Sequence, residues 1–223
     1  MEASTRSADR WAGTVLCLGS LLYASAVLVF MLAYGQPESS VAGSDPTIAD
    51  RVAHYQSHWQ LAHAMWSLEL IAVFSLAVSG FVLMGRIAPS QGLVPRRLSW
   101  ATVAAGATFL VVMYPVMLGG YPAAVATREL GLFAVVNGVA QLIFLTGNSV
   151  IFVGFAAAFA SEGPPHGALS RQVAVAGQIA FLIALIAGLA MLAGIGLLQM
   201  AAPVGLLAFL LASYLGWAIA RHA

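Results

Sequence analysis

HWQLAHAMWSLELIAVFSLAVSGFVLM, residues 58–84, decides the fold. The stretch has no proline and no Lys, Arg or Asp, and it carries a single carboxylate, Glu69. A helix needs about 20 mainly apolar residues to cross a hydrocarbon layer about 30 Å thick. Residues 58–84 supply that length with some to spare, so the stretch reads as a membrane span.

Segments of the same kind lie on both sides of it. They run over 11–34, 99–119 and 131–160, and an uncharged stretch between Arg171 and Arg221 is long enough for two more. Gly194-Ile195-Gly196 divides that stretch into 172–193 and 197–219, because glycine is the usual helix terminator. The alternative is five spans and one re-entrant segment. The expectation is an all-α polytopic bundle of six transmembrane helices, folded as a single domain over 1–223. Arg6 and Arg10 before the first apolar run imitate a signal peptide, but 11–34 is too long for a signal core and reads as an uncleaved span.

Composition agrees. The chain of 223 residues is 61% hydrophobic and 8% charged, with a mean hydropathy of +0.92. Soluble domains are about 25% charged, so lipid must cover most of this exterior. The net charge of +1 gives nucleic acid no purchase. The one cysteine, Cys17, excludes an intrachain disulfide and any multi-cysteine metal centre. All the basic residues are arginine, and Ala and Gly are abundant, which fits a high-GC bacterial coding bias.

Arginine placement gives an orientation. With the N-terminus inside, Arg6, Arg10, Arg86, Arg96, Arg97, Arg171 and Arg221 are cytoplasmic, and Arg51 and Arg128 are external. This is the positive-inside pattern, with both termini in the cytoplasm of a bacterial inner (plasma) membrane. Trp11, Trp100 and Trp217 then mark the inner boundary, and Tyr34, Trp59 and Tyr121 the outer one.

The longest loop, 35–57, is external on this reading. Its first half, GQPESSVAGS, is turn-forming. Its second half, SDPTIADRVAHYQ, predicts a short amphipathic helix on the outer surface. Asp45 supplies the cap, Pro46 the first helical position, and Ile48, Val52 and Tyr55 the apolar face.

SDPTIADRVAHYQ, followed by a span containing Leu-Glu-Leu, resembles the first external loop and second span of an uncharacterised family of six-helix bacterial membrane proteins. LVPRRLS at 93–99 is similar to that family's inner loops. HWQLAHAMW departs from its pattern. The resemblance implies six helices and supplies no activity.

Glu69 is the residue with most to say about function. Twelve residues into its span, it sits about 18 Å deep at ~1.5 Å per residue. An ionised carboxylate at that depth costs at least ~2.5 kcal/mol unless paired or wet, and no span offers a basic partner at that level. It reads either as a proton-linked or ligand-binding carboxylate, or as an acid that hydrogen-bonds neighbouring helices. Asn137, Gln141 and Asn148 share one face of span 4, and Gln178 on span 5 falls near the level of Asn148. Such groups must find partners in lipid, which predicts span 4 facing spans 2 and 5. A binding site and amide glue between helices are the two uses open to them.

His54, His58 and His63, with methionines in the outer half, raise a copper(I) site, against which a solvated surface loop is the simpler reading. Haem needs histidines on two facing spans, and only span 2 has one. The sequence requires no cofactor and no metal. His63 and Glu69 do not pair as base and acid, since six residues put them about 9 Å apart along the axis and on different faces. Pro115 and Pro203 are set to kink their spans beside the polar interior. Ala176, Ala180, Ala184 and Gly188 form a close-packing face, within the chain or between protomers of a homo-oligomer.

The functional expectation is small-molecule transport or lipophilic ligand binding at a polar intramembrane site of Glu69, Gln141, Asn148, Asn137 and Gln178. The rival is an accessory subunit of a larger membrane complex. A membrane enzyme or redox carrier comes third.

Overall fold

The computed structural model describes residues 2–35, 37–40, 45–86, 94–164, 167–193 and 198–223. Among them there is no strand. Six helices follow one another: α1 Glu2–Val29, α2 Ile48–Arg86, α3 Val94–Thr127, α4 Leu130–Ser161, α5 Arg171–Leu192 and α6 Leu198–His222. Each is long and apolar enough to cross a membrane. The expected turn at Gly194-Ile195-Gly196 lies outside the described residues.

Each helix packs on its neighbours in sequence, and α6 closes back on α1. Consecutive helices are antiparallel. Asp9 near the start of α1 meets Arg86 at the end of α2 at 3.6 Å, and Ser99 near the start of α3 meets Ser161 at the end of α4 at 3.4 Å. The result is a ring of six up-and-down helices. In such a ring α4 lies between α3 and α5 and touches α2 only lightly. Of the expected partners of span 4, span 5 is packed on it and span 2 is met only by a light contact, because short connections fix sequence neighbours as packing neighbours.

The helices outrun the predicted spans. α3 continues through Gly119, Gly120 and Pro122 to Thr127, and α2 begins ten residues before His58. Hydropathy marks only the part of a helix that needs lipid, whereas the backbone goes on as long as its hydrogen bonds do. α3 and α4 are joined by a tight turn at Arg128, which takes a left-handed φ of 59°.

Close approach of backbones holds the ring. A Cβ on Gly106 of α3 would meet the Ile151 nitrogen of α4 at 2.6 Å, so only glycine allows these helices to lie so near each other. On α5, Ala180, Ala184 and Gly188 are buried inside the chain, while Ala176 is exposed. The small-residue face therefore serves the bundle itself.

The entry to α2 differs from expectation. Thr47, not Asp45, caps it. The Asp50 carboxylate accepts from the Thr47 amide at 2.8 Å and its hydroxyl at 2.7 Å, and the Asp50 amide donates back to the Thr47 hydroxyl at 3.2 Å. This reciprocal pair is a capping box closed by aspartate. The segment from Ile48 is helical up to a kink, as a short helix leading into the span would be. It runs into the span through a break at His58 (φ −124°, ψ 16°).

Candidate functional site

α1 ends in a widened turn, Phe30–Tyr34, in which the Gly35 amide reaches the Phe30 carbonyl at 3.2 Å. Gly35 itself has φ 68°, a conformation glycine takes without strain. Turns of this i→i+5 kind cluster at functional sites. Here the turn forms one wall of a cavity of about 320 Å³.

The cavity extends from Arg51 and His54, at the start of α2, down to Glu69 and Met113. Along α2 the fifteen residues from His54 to Glu69 correspond to about 22 Å. α3 contributes Met113, Met117 and Tyr121, on both sides of Pro115. Proline leaves the backbone of that turn one donor short. α4 contributes Phe133, Asn137, Ala140, Gln141 and Phe144. Three of the five expected site residues, Glu69, Asn137 and Gln141, thus line one cavity on helices that scarcely touch each other. Asn137 accepts a hydrogen bond from the Tyr121 hydroxyl at 2.7 Å. Gln141 is exposed.

The other two expected residues fall elsewhere. Asn148 accepts from Tyr23 of α1 at 3.3 Å and donates to the Phe144 carbonyl at 2.9 Å. It lines a second cavity of about 160 Å³ between α1, α4, α5 and α6. Val27 and Phe144 border both cavities. Gln178 lines neither and is half-buried on α5.

Glu69 is 6% exposed. Two phenols lie beside it, Tyr23 of α1 and Tyr114 of α3. The Tyr114 hydroxyl is fully buried between Glu69 and Tyr23, its neighbours on α2 and α1. The sequence reading missed Tyr23 and Tyr114. The signal was available: a phenol at mid-span brings a hydroxyl to a depth where water cannot satisfy it.

An aromatic wall stands over Glu69. Trp66, three residues before it and so on the same helix face, lies 5.2 Å from Tyr121, which meets Phe133 edge-on at 5.1 Å. Trp66 and Tyr121 are buried, so Tyr121 is an interior residue and not the interfacial marker it was expected to be. Trp100 is likewise buried and donates to Glu162 at 3.3 Å. Trp11, Trp59 and Trp217 do present their rings outward.

The three histidines do not converge. His63 pairs with the Tyr55 hydroxyl at 2.8 Å. The His54 and His58 rings lie 4.6 Å apart, tilted by 36°, with Tyr34 edge-on to His54. Nε2 of His54 is buried without a partner. No group of three or more His, Cys, Asp or Glu among the described residues is placed to hold a metal ion.

No family model, curated protein or solved structure matches the chain.

Proposed function

We propose that the protein binds, and carries across the membrane, a small molecule at a site around Glu69 that opens to the outside. The cavity running from Arg51 and His54 to Glu69 supports this reading. An acid held only for packing would be closed over by its neighbours, whereas Glu69 borders open volume and Asn137 and Gln141 border the same volume. A concave site of this size with a few polar groups on an aromatic lining is the usual form of a small-molecule site. The orientation belongs to the same proposal. Seven of the nine arginines gather at the end of the ring where α1 begins and α6 ends, and this positive-inside bias supports a cytoplasmic placing of that end in a bacterial inner membrane, with the cavity mouth outside. The segment before His58 is then an external collar at the mouth.

Cysteine accessibility tests the reading. In a Cys17→Ala background, Met117→Cys should react in intact cells with a membrane-impermeant thiol reagent. Val139→Cys, exposed on the outside of α4, should not. Protection of Met117→Cys would mean that the cavity is closed to water, and the proposal would fall.

A further inference from the structure

We propose that the ligand is a lipophilic organic cation, with its ammonium or pyridinium head on Glu69 and its apolar body passing between Val27 and Phe144 into the second cavity. This rests on the reading of the Glu69 cavity as a ligand site and gives that ligand a class.

Charge carries the first step. Among the described residues, Glu69 and Arg51 are the only Asp, Glu, Lys or Arg lining the cavity. Arg51 lies eighteen residues earlier on α2, about 27 Å of helix away. The floor of the cavity is therefore acidic and without a counter-charge. An anion would be repelled there, and a neutral guest would leave the carboxylate with only the Tyr114 phenol beside it and its charge unbalanced in a low-dielectric setting. A cation supplies the missing charge.

The lining carries the second step. Trp66, Tyr121, Phe133 and Phe144 line the same cavity as Glu69. Aromatic faces attract cations, by about 2 kcal/mol or more where water is excluded. A weakly hydrated organic cation loses little on leaving water, whereas an ammonium bearing several N–H groups would need more acceptors than this floor offers.

The second cavity carries the third step. Its polar members, Tyr23 and Asn148, are bonded to each other, and the remainder is apolar, including Ala24, Ala184 and Phe209. Tyr23 also lies beside Glu69, and Val27 and Phe144 are the wall common to both cavities, so only side chains stand between the acid and the second cavity. A guest whose charge sits on Glu69 has hydrocarbon surface to cover its other end.

The test uses the full-length protein in zwitterionic lipid nanodiscs. The probe is a fluorescent N-methylated aminostyryl-pyridinium, compared with its unmethylated parent at a pH where the parent is uncharged. The cation should bind roughly tenfold or more tightly than the neutral parent, and Glu69→Gln should abolish the difference. Gly205→Leu, placed where a Cβ meets nothing within 4 Å on the wall of the second cavity, should weaken the dye by about tenfold while leaving tetramethylammonium competition unchanged. Equal binding of cation and parent overturns the cationic class, even if Glu69→Gln does not fold, because the comparison needs no variant. Dye affinity unmoved by Gly205→Leu overturns the placement of the body. If neither dye binds while Met117→Cys is still labelled from outside, the ligand class is wrong and the open cavity stands. If Met117→Cys is protected as well, both readings fall together.

Discussion

Arg96 holds Glu162 by both carboxylate oxygens, Nε to Oε1 at 2.6 Å and Nη2 to Oε2 at 2.9 Å. The pair locks the start of α3 to the end of α4, and the Trp100 indole adds a third bond to Oε1. The two partners are unequally buried, with the Glu162 side chain 1% exposed and that of Arg96 29%. Arg96→Ala strands a carboxylate among apolar groups and should cost about 3–5 kcal/mol. Glu162→Ala leaves an arginine that can swing to water or lipid headgroups and should cost less. Thermal unfolding in detergent should rank the two in that order. Equal losses would mean that the pair's burial does not set its worth.

At the mouth of the cavity, Thr47→Ala removes one half of the capping box on α2. The loss should be about 1 kcal/mol, confined to the turns before the break at His58. Amide hydrogen exchange should speed up over 48–57 and stay unchanged beyond it. Asp45→Ala should leave the exchange as it is. An effect from Asp45 equal to that of Thr47 would restore the cap to the position that Asp-Pro suggested.

The sequence was sufficient for six helices because lipid imposes length and apolarity on every span, and both are local properties. The cap was misplaced for an equally local reason. Asp45-Pro46 is a good start signal, but Thr47 and Asp50 form two reciprocal bonds where Asp45 could form one. The site was partly legible. Glu69, Asn137 and Gln141 stand out because polar groups in lipid need a reason. Their convergence was not legible, because no local pattern tells how α4 is turned against α3, or that α2 and α4 would border one cavity while hardly touching. Tyr23 and Tyr114 escaped notice because tyrosine is counted with the hydrophobic residues, although each brings a hydroxyl to mid-span.

The proposed orientation makes a separate prediction. In a Cys17→Ala background, Asp45→Cys should be labelled in intact cells by an impermeant thiol reagent. His222→Cys, at the other end of the ring, should be labelled only after the cells are opened. The reverse pattern would turn the cavity mouth toward the cytoplasm. The ligand site would keep its geometry, and its direction of access would change.

Glycine contributes oppositely at two positions on neighbouring helices. A helix interior favours alanine over glycine by up to about 1 kcal/mol, because glycine loses more freedom on folding. At Gly138 on α4 an added Cβ meets nothing within 4 Å, so Gly138→Ala should leave the melting temperature unchanged or raise it. At Gly106 on α3 the added Cβ would lie 2.6 Å from the Ile151 nitrogen and 2.8 Å from the Gly147 carbonyl oxygen. Neither is the end of a flexible side chain, so the helices themselves must move apart. α3 and α4 pack on each other more extensively than any other pair in the ring. Their spacing also sets Tyr121 against Asn137, whose 2.7 Å bond lies toward the mouth of the cavity. Gly106→Ala should therefore lower the melting temperature by several degrees and weaken ligand binding at the same time, although it touches no ligand. A Gly106→Ala protein as stable as the parent would show that α3 and α4 are held apart by more than the present geometry allows.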